Sequence, residues 1–257
     1  MLNQAFLSRT LDFANTLTRE AGEMAMKHFR HSKRVEYKAD RSPVTLADRE
    51  IEQFLRSEIE RQFPEHQILG EEFDAKTSAS DYTWILDPID GTRSFAHGIP
   101  VFGIQMALVY KKKPVVGVIH LPALGEHIAA ARGLGCRWNE ETCRVSAQQQ
   151  VERLLVHVHE RELSRQTAPK LSPWLAQTEN ERNWGDCYSF ILVATGRAEV
   201  AMDPRMQVWD TAPLPVLVEE AGGVFFDWQG ENSIWTGSAV TTTPELAPTL
   251  LTLLEKI

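Results

Sequence analysis

Near the N-terminus the apolar positions recur at helical intervals. Phe6, Phe13, Leu17, Ala21 and Met24 fall on one stripe, which predicts a helix to about Phe29. A polar stretch from Arg30 to Ser42 breaks the pattern. A second helix then shows Ile51, Phe54, Leu55, Ile59 and Phe63 on its apolar face. Thr45 caps it, Asp48 stands three residues on as the partner of a capping box, and Pro64 closes it.

Beyond Pro64 the pattern changes to short apolar runs. Trp84-Ile85-Leu86 predicts a buried strand ending in Asp87. Phe102 to Tyr110 and Pro114 to His120 predict a hairpin turned by Lys111-Lys112-Lys113. Gly133 to Ala147 reads as irregular, and a second lobe is expected near it, dividing the chain into 1–145 and 146–257. In that lobe Leu154 to Val158 predicts a strand. Asp186 is placed as the cap of a helix from Cys187 to Thr195, stopped by Gly196. Asp210 precedes a helix ending at Gly222-Gly223, with Pro213 and Pro215 making its first turns irregular. Strands near Val224–Phe226 and Ala239–Thr241 follow, then a helix opened by Thr243-Pro244. Helices alternating with strands in both halves predict a layered α/β (α+β) fold.

Composition narrows the function. A net charge of −8 argues against nucleic acid as the main partner, because phosphate backbones reward clustered Lys and Arg. No apolar run is long enough to cross a bilayer, and Met1-Leu2-Asn3-Gln4 opens no export signal, so no membrane partner and a cytoplasmic location are expected. Cys136, Cys143 and Cys187 fit neither a disulfide framework nor a zinc site.

The chemistry concentrates in Asp87-Pro88-Ile89-Asp90-Gly91-Thr92. Asp87 closes a strand, at the end where open α/β sheets place ligands. Asp90 returns a second carboxylate nearby. Gly91 and Thr92 offer backbone N–H groups at a helix start, a seat for a phosphate. Two carboxylates about 4 Å apart repel by roughly 4 kcal/mol at an effective dielectric near 20. A divalent cation removes that penalty, and hard oxygen ligands favour Mg²⁺ over zinc. Asp, Pro and Gly also build ordinary surface turns, so the loop alone is ambiguous. Glu71, after Ile68-Leu69-Gly70, and Asp210, after Trp209, present further carboxylates. Their plainer readings are a solvated loop charge and a helix cap.

These segments, with Lys38 and Ser42-Pro43-Val44-Thr45-Leu46-Ala47-Asp48 upstream and Glu220-Ala221-Gly222-Gly223 downstream, resemble the inositol monophosphatase family from about Lys38 to Gly223. The resemblance implies an α-β-α-β-α sandwich, a homodimer, two or three Mg²⁺ per site, and a small phosphorylated metabolite as substrate. It implies that Glu71, Asp87 and the Ile89 carbonyl hold one metal, and that Asp87, Asp90 and Asp210 hold another. It places the phosphate at Asp90, Gly91 and Thr92. Thr92 with Asp48 would activate the attacking water, and Lys38 would support the acidic network.

Departures from inositol-specific members point to the substrate. Arg93-Ser94-Phe95 follows Thr92, and Trp184-Gly185-Asp186-Cys187-Tyr188 opens the second-lobe helix; both are similar to the histidinol-phosphatase branch. Asp186 is the candidate contact for a substrate ammonium, with Arg93 and Asp210 also lining the substrate side. Inositol phosphate or a range of sugar phosphates is the alternative. A partner of the transcription machinery is the alternative of another class, disfavoured because all the carboxylates implied by the family are present and Lys111–Lys113 is the one basic cluster. His157 and His159 share a strand face without an accompanying carboxylate, His97 lies near the key loop, and Trp174, Trp184, Trp209, Trp228 and Trp235 read as core.

Overall fold

The computed structural model describes residues 3–30, 36–37, 43–159, 166 and 169–254; Lys38 lies outside them. Helix α1 (Gln4–His28) opens at Asn3, whose Oδ1 accepts the Ala5 N–H at 2.9 Å. Two short antiparallel strands, β1 (Glu36–Tyr37) and β2 (Pro43–Val44), precede α2 (Leu46–Gln62). The capping box is formed: the Thr45 N–H donates to Asp48 Oδ2 at 2.8 Å.

A seven-stranded sheet follows in chain order: β3 (Gln67–Gly70), β4 (Tyr82–Asp90), β5 (Gly103–Tyr110), β6 (Lys113–Leu121), β7 (Glu126–Ala131), β8 (Gly135–Trp138) and β9 (Glu141–Thr142). The β3–β4 pair is parallel and the others are antiparallel. Helix α3 (Thr92–Ala96) leaves the end of β4. The second part of the chain runs β10 (Leu155–Val158), α4 (Leu171–Leu175), β11 (Asn180–Arg182), α5 (Asp186–Ala194), β12 (Val200–Asp203), α6 (Val208–Thr211), α7 (Leu214–Glu220), β13 (Val224–Phe226), β14 (Ala239–Thr242) and α8 (Ala247–Leu254). Its five strands lie in the order β11-β10-β12-β14-β13, with β10 parallel to both neighbours.

Strand alternation sorts the core into layers. Trp84 and Leu86 of β4 face α1 and α2. Ile85, between them, faces the other way and joins Ala107, Val109, the buried side of α5 and α7, and Ala201 and Phe225 of the second sheet. The far side of that sheet, with Val156, Val200 and Phe226, packs on Trp174 of α4 and Leu250 of α8. Five layers, α-β-α-β-α, result. Each fully buried Leu, Ile or Phe contributes about 1.5–3 kcal/mol of transfer free energy to this stack.

The local differences from expectation have physical reasons. Gly133–Ala147 contains β8 and β9, too short and too polar to show an alternation. The helix after Asp210 is broken into α6 and α7 at Ala212-Pro213, where proline lacks an N–H. The last helix starts at Ala247, because Thr243-Pro244 forms a preceding turn. The β5–β6 hairpin turns on Lys111 and Lys112, both left-handed at φ 47° and 67°, and the Trp235 indole N–H donates to the Lys112 carbonyl at 3.0 Å.

Candidate active site

The site is built on an irregularity in β4. Asp87 pairs with Gln105 and Asp90 with Gly103, so three steps on β4 match two on β5. In a regular strand, residues three apart point to opposite faces. The extra residue of this bulge turns both carboxylates to the middle-layer face. The released peptide finds local partners: the Ile89 N–H donates to Asp87 Oδ1 at 3.1 Å, and the Ile89 carbonyl accepts the Thr92 hydroxyl at 3.0 Å. Gly91 caps α3 at φ 82°, and a Cβ there would come 2.9 Å from Asp186 Oδ2.

Three further elements close on this loop. From α2, Asp48 is fully buried, and its Oδ1 lies 3.4 Å from the Thr92 hydroxyl. From α6, Asp210 meets Asp87; it stands within the first turn rather than capping it, and its Oδ2 accepts the Gln207 N–H at 2.7 Å. From α5, the Cys187 N–H donates to Asp90 Oδ2 at 2.5 Å. Asp186 likewise is not the cap. Gly185 holds that position, and Asp186 begins the helix at φ 53°, a conformation rare for a residue with a side chain. Its carboxylate is thereby carried back against Gly91. Arg93 and His159 favour its charged form, against a larger effect of burial that raises its pKa.

Glu71 follows β3 at the sheet edge, where its charge is felt by Asp87, Asp210 and Asp48. Its turn is anchored by two residues that sequence reasoning missed. Glu52 of α2, fully buried, accepts the backbone N–H groups of Glu72 at 2.7 Å and Phe73 at 3.3 Å. Arg56 donates to Glu52 at 2.7 Å and to the Phe73 carbonyl at 2.9 Å. Gly70 is required there, since a Cβ would collide with the Glu52 carboxylate. A signal existed: Asp48 and Glu52 lie on the same helical stripe as Leu55 and Ile59, so both carboxylates point into the protein.

Carboxylate oxygens of Asp87, Asp90 and Asp210 come within 4.8 Å of one another. Burial, then repulsion from Glu71, Asp90 and Asp210, holds Asp87 well above the usual carboxylate range. Asp90 is raised by burial and by Asp186 and Asp210. Burial chiefly pushes Asp210 to about 7 and Asp48 to about 6. Asp87 and Asp210 lie close enough that each acts on the charge of the other. Such a set is costly as bare anions and favourable around a cation. With hard oxygen donors throughout, it fits a divalent metal ion.

Other expectations resolve variously. His97 is exposed, its Nδ1 2.8 Å from the Arg93 carbonyl. His159 does have a carboxylate beside it, Asp203, at 3.1 Å. Trp174 and Trp228 are core, but Trp184 and Trp235 are 45% and 47% exposed. The three cysteines are free and buried, and no described helix is long and apolar enough to cross a membrane.

Comparison with known proteins agrees with this geometry. The model of the Inositol monophosphatase family matches residues 7–257. The chain is 41% identical to the histidinol-phosphatase of Chlorobaculum parvum, covering 90% of this chain and 91% of that one. It is 36% identical to the histidinol-phosphatase of Mycobacterium tuberculosis, covering 85% and 87%. Inositol monophosphatase 3 of Solanum lycopersicum is also similar, at 30% identity over 95% of both chains. Among solved structures, the extragenic suppressor protein suhB of Bartonella henselae superimposes with a TM-score of 0.89 at 28% identity, over 96% of this chain and 99% of that one. A converging carboxylate set and a family match along nearly the whole chain agree: this protein belongs to the inositol monophosphatase family and is a phosphatase.

Proposed function

We propose that the chain is a Mg²⁺-dependent histidinol-phosphatase, converting L-histidinol phosphate and water to L-histidinol and phosphate. The observation that carries the substrate is the Asp186 carboxylate held against Gly91, beside the phosphate seat. Similarity to two histidinol-phosphatases supports it. Histidinol phosphate carries an ammonium close to its phosphate, and a partly desolvated carboxylate is its natural partner.

In this reading Glu71, Asp87, Asp90, Asp210 and the Ile89 carbonyl hold the metal ions, two or three per site. Bound there, Mg²⁺ neutralises phosphate charge, acidifies water and stabilises the leaving oxygen. The chain's own residues do the positioning. The Gly91 and Thr92 N–H groups face the phosphate, beside Asp90. The Thr92 hydroxyl, which donates to the Ile89 carbonyl at 3.0 Å, turns toward Asp48 Oδ1, 3.4 Å away, so that its oxygen takes a proton from the attacking water as its own passes to Asp48. Asp186 holds the ammonium, with Arg93 and Asp210 at the margin of the substrate. Lys38 completes the acidic network. The fold works in the cytoplasm as a homodimer, with its lobes divided near residue 145.

Phosphate release from histidinol phosphate and from inositol 1-phosphate, each with Mg²⁺ and with EDTA, tests this. Mg²⁺-dependent preference for histidinol phosphate is expected. Equal turnover, or preference for inositol 1-phosphate, replaces the substrate with inositol phosphate or a range of sugar phosphates.

A further inference from the structure

Trp184 is a large apolar side chain left 45% exposed in a protein whose other tryptophans near the second sheet are mostly buried. Its ring is not loose. It packs on His157, centroids 4.9 Å apart, and on Tyr188 at 6.1 Å, each ring tilted 47° to the indole. His157 is 1% exposed, and neither ring nitrogen finds a hydrogen-bond partner among the described residues, so the imidazole serves as a packed support for the indole.

The position is that of a ligand contact. Trp184 follows β11, and His159 and Asp203 stand at the ends of β10 and β12, so the carboxyl ends of three parallel strands meet here. His157 and His159 share a face of β10, and His159 is close enough to act on the charge of Asp186. Only Gly185 separates Trp184 from Asp186, which limits their Cα atoms to roughly 7 Å. Gly185, at φ 72°, turns the chain between them.

We infer that Trp184 is a specificity-determining residue whose exposed indole stacks on a flat, aromatic heterocycle of the leaving alcohol. The inference rests on the substrate reading above and extends it. In histidinol phosphate two carbons separate the imidazole from the phosphate-bearing carbon, and the ammonium lies between. With the ammonium on Asp186 and the phosphate at Gly91, the ring is carried to the residue just before Gly185. A supported indole left 45% exposed is suited to this, because stacking needs area and a fixed plane rather than matched hydrogen bonds.

Trp184→Ala and Trp184→Phe are assayed on histidinol phosphate, inositol 1-phosphate and 4-nitrophenyl phosphate. In Trp184→Ala the preference for histidinol phosphate over inositol 1-phosphate, as a ratio of kcat/KM values, falls roughly 10- to 100-fold through KM. Trp184→Phe restores most of it. An unchanged ratio, or a loss shared equally by all three esters, overturns the inference. If the wild-type protein does not turn over histidinol phosphate, the substrate reading has failed. The ratio of 4-nitrophenyl phosphate to inositol 1-phosphate then decides: a selective loss in Trp184→Ala upholds the aromatic platform, and no selective loss overturns it.

Discussion

The backbone N–H of Cys187, in the first turn of α5, donates to the Asp90 carboxylate at the end of β4 across 2.5 Å. A residue of one sheet's loop is thus held by a helix that packs on the other sheet. The contact fixes the Asp90 carboxylate beside Asp87 and Asp210. Asp90→Asn keeps the shape and removes the charge. Mg²⁺-dependent phosphate release is expected to fall by at least ~100-fold, with far-UV circular dichroism unchanged. Retained activity at saturating Mg²⁺ would remove Asp90 from the metal set.

The Glu52–Arg56 anchor makes a separable prediction. Glu52→Gln weakens the hold on the Glu72 and Phe73 N–H groups and loosens the turn that presents Glu71. The Mg²⁺ concentration for half-maximal activity should rise about 10- to 100-fold, as for other groups that orient a metal ligand. Arg56→Met strands a buried carboxylate and should cost about 3–5 kcal/mol in denaturant unfolding. An unchanged Mg²⁺ requirement in Glu52→Gln would separate the anchor from the metal site.

Asp186→Asn tests the substrate side. A hydrogen bond to a charged partner contributes about 1.5–3 kcal/mol, so kcat/KM for histidinol phosphate should drop roughly 10- to 100-fold. Turnover of inositol 1-phosphate, which has no ammonium, should fall less. Equal losses on both substrates would make Asp186 a support for Gly91 and Asp90 instead.

The raised carboxylates set a pH dependence for the metal-free protein. Asp48 at about 6 and Asp210 at about 7 stand above the ordinary 3.8, so the folded chain holds protons that the unfolded chain releases. Where the native state binds more protons, stability falls as pH rises. Burial depresses His127 to about 3 and His157 to about 4, which works in the opposite sense below the ordinary histidine value of 6.5. The Asp48 share is spent by about pH 6, so above pH 6.5 the decline comes from Asp210, ending near pH 7, together with Asp87 and Asp90, which burial also holds well above the ordinary value. In EDTA the melting temperature should decline there, and the gap between Mg²⁺ and EDTA curves should widen, because the cation replaces the protons. A gap that narrows with rising pH would contradict this account.

Much of the site was legible because its determinants are local. Thr45 and Asp48 form their box within one turn, and Asp87 to Thr92 is a single short segment whose residue types dictate a strand end, a tight turn and a helix start. What escaped the sequence was set by tertiary placement. Glu52 looks like an ordinary helix charge until the turn twenty residues later is seen to lean on it. Asp186 reads as a cap because Asp commonly caps; its left-handed backbone at φ 53°, with the carboxylate against Gly91, is set by the fold. Trp184 counts as core by residue type, and only the fold shows that it is 45% exposed.

The mismatch between β4 and β5 reaches further than aiming two side chains. A perfectly zipped sheet spends every amide and carbonyl on its neighbour and has nothing left to offer a ligand. By carrying one residue too many, β4 withdraws a peptide from that exchange, and the Ile89 amide and carbonyl become available to Asp87 and Thr92. Shortening the segment by one residue would keep both aspartates on one face and mend the ladder. The repaired sheet would be more regular and, on the proposed function, chemically poorer, since that function draws on backbone that the fold declined to use for itself.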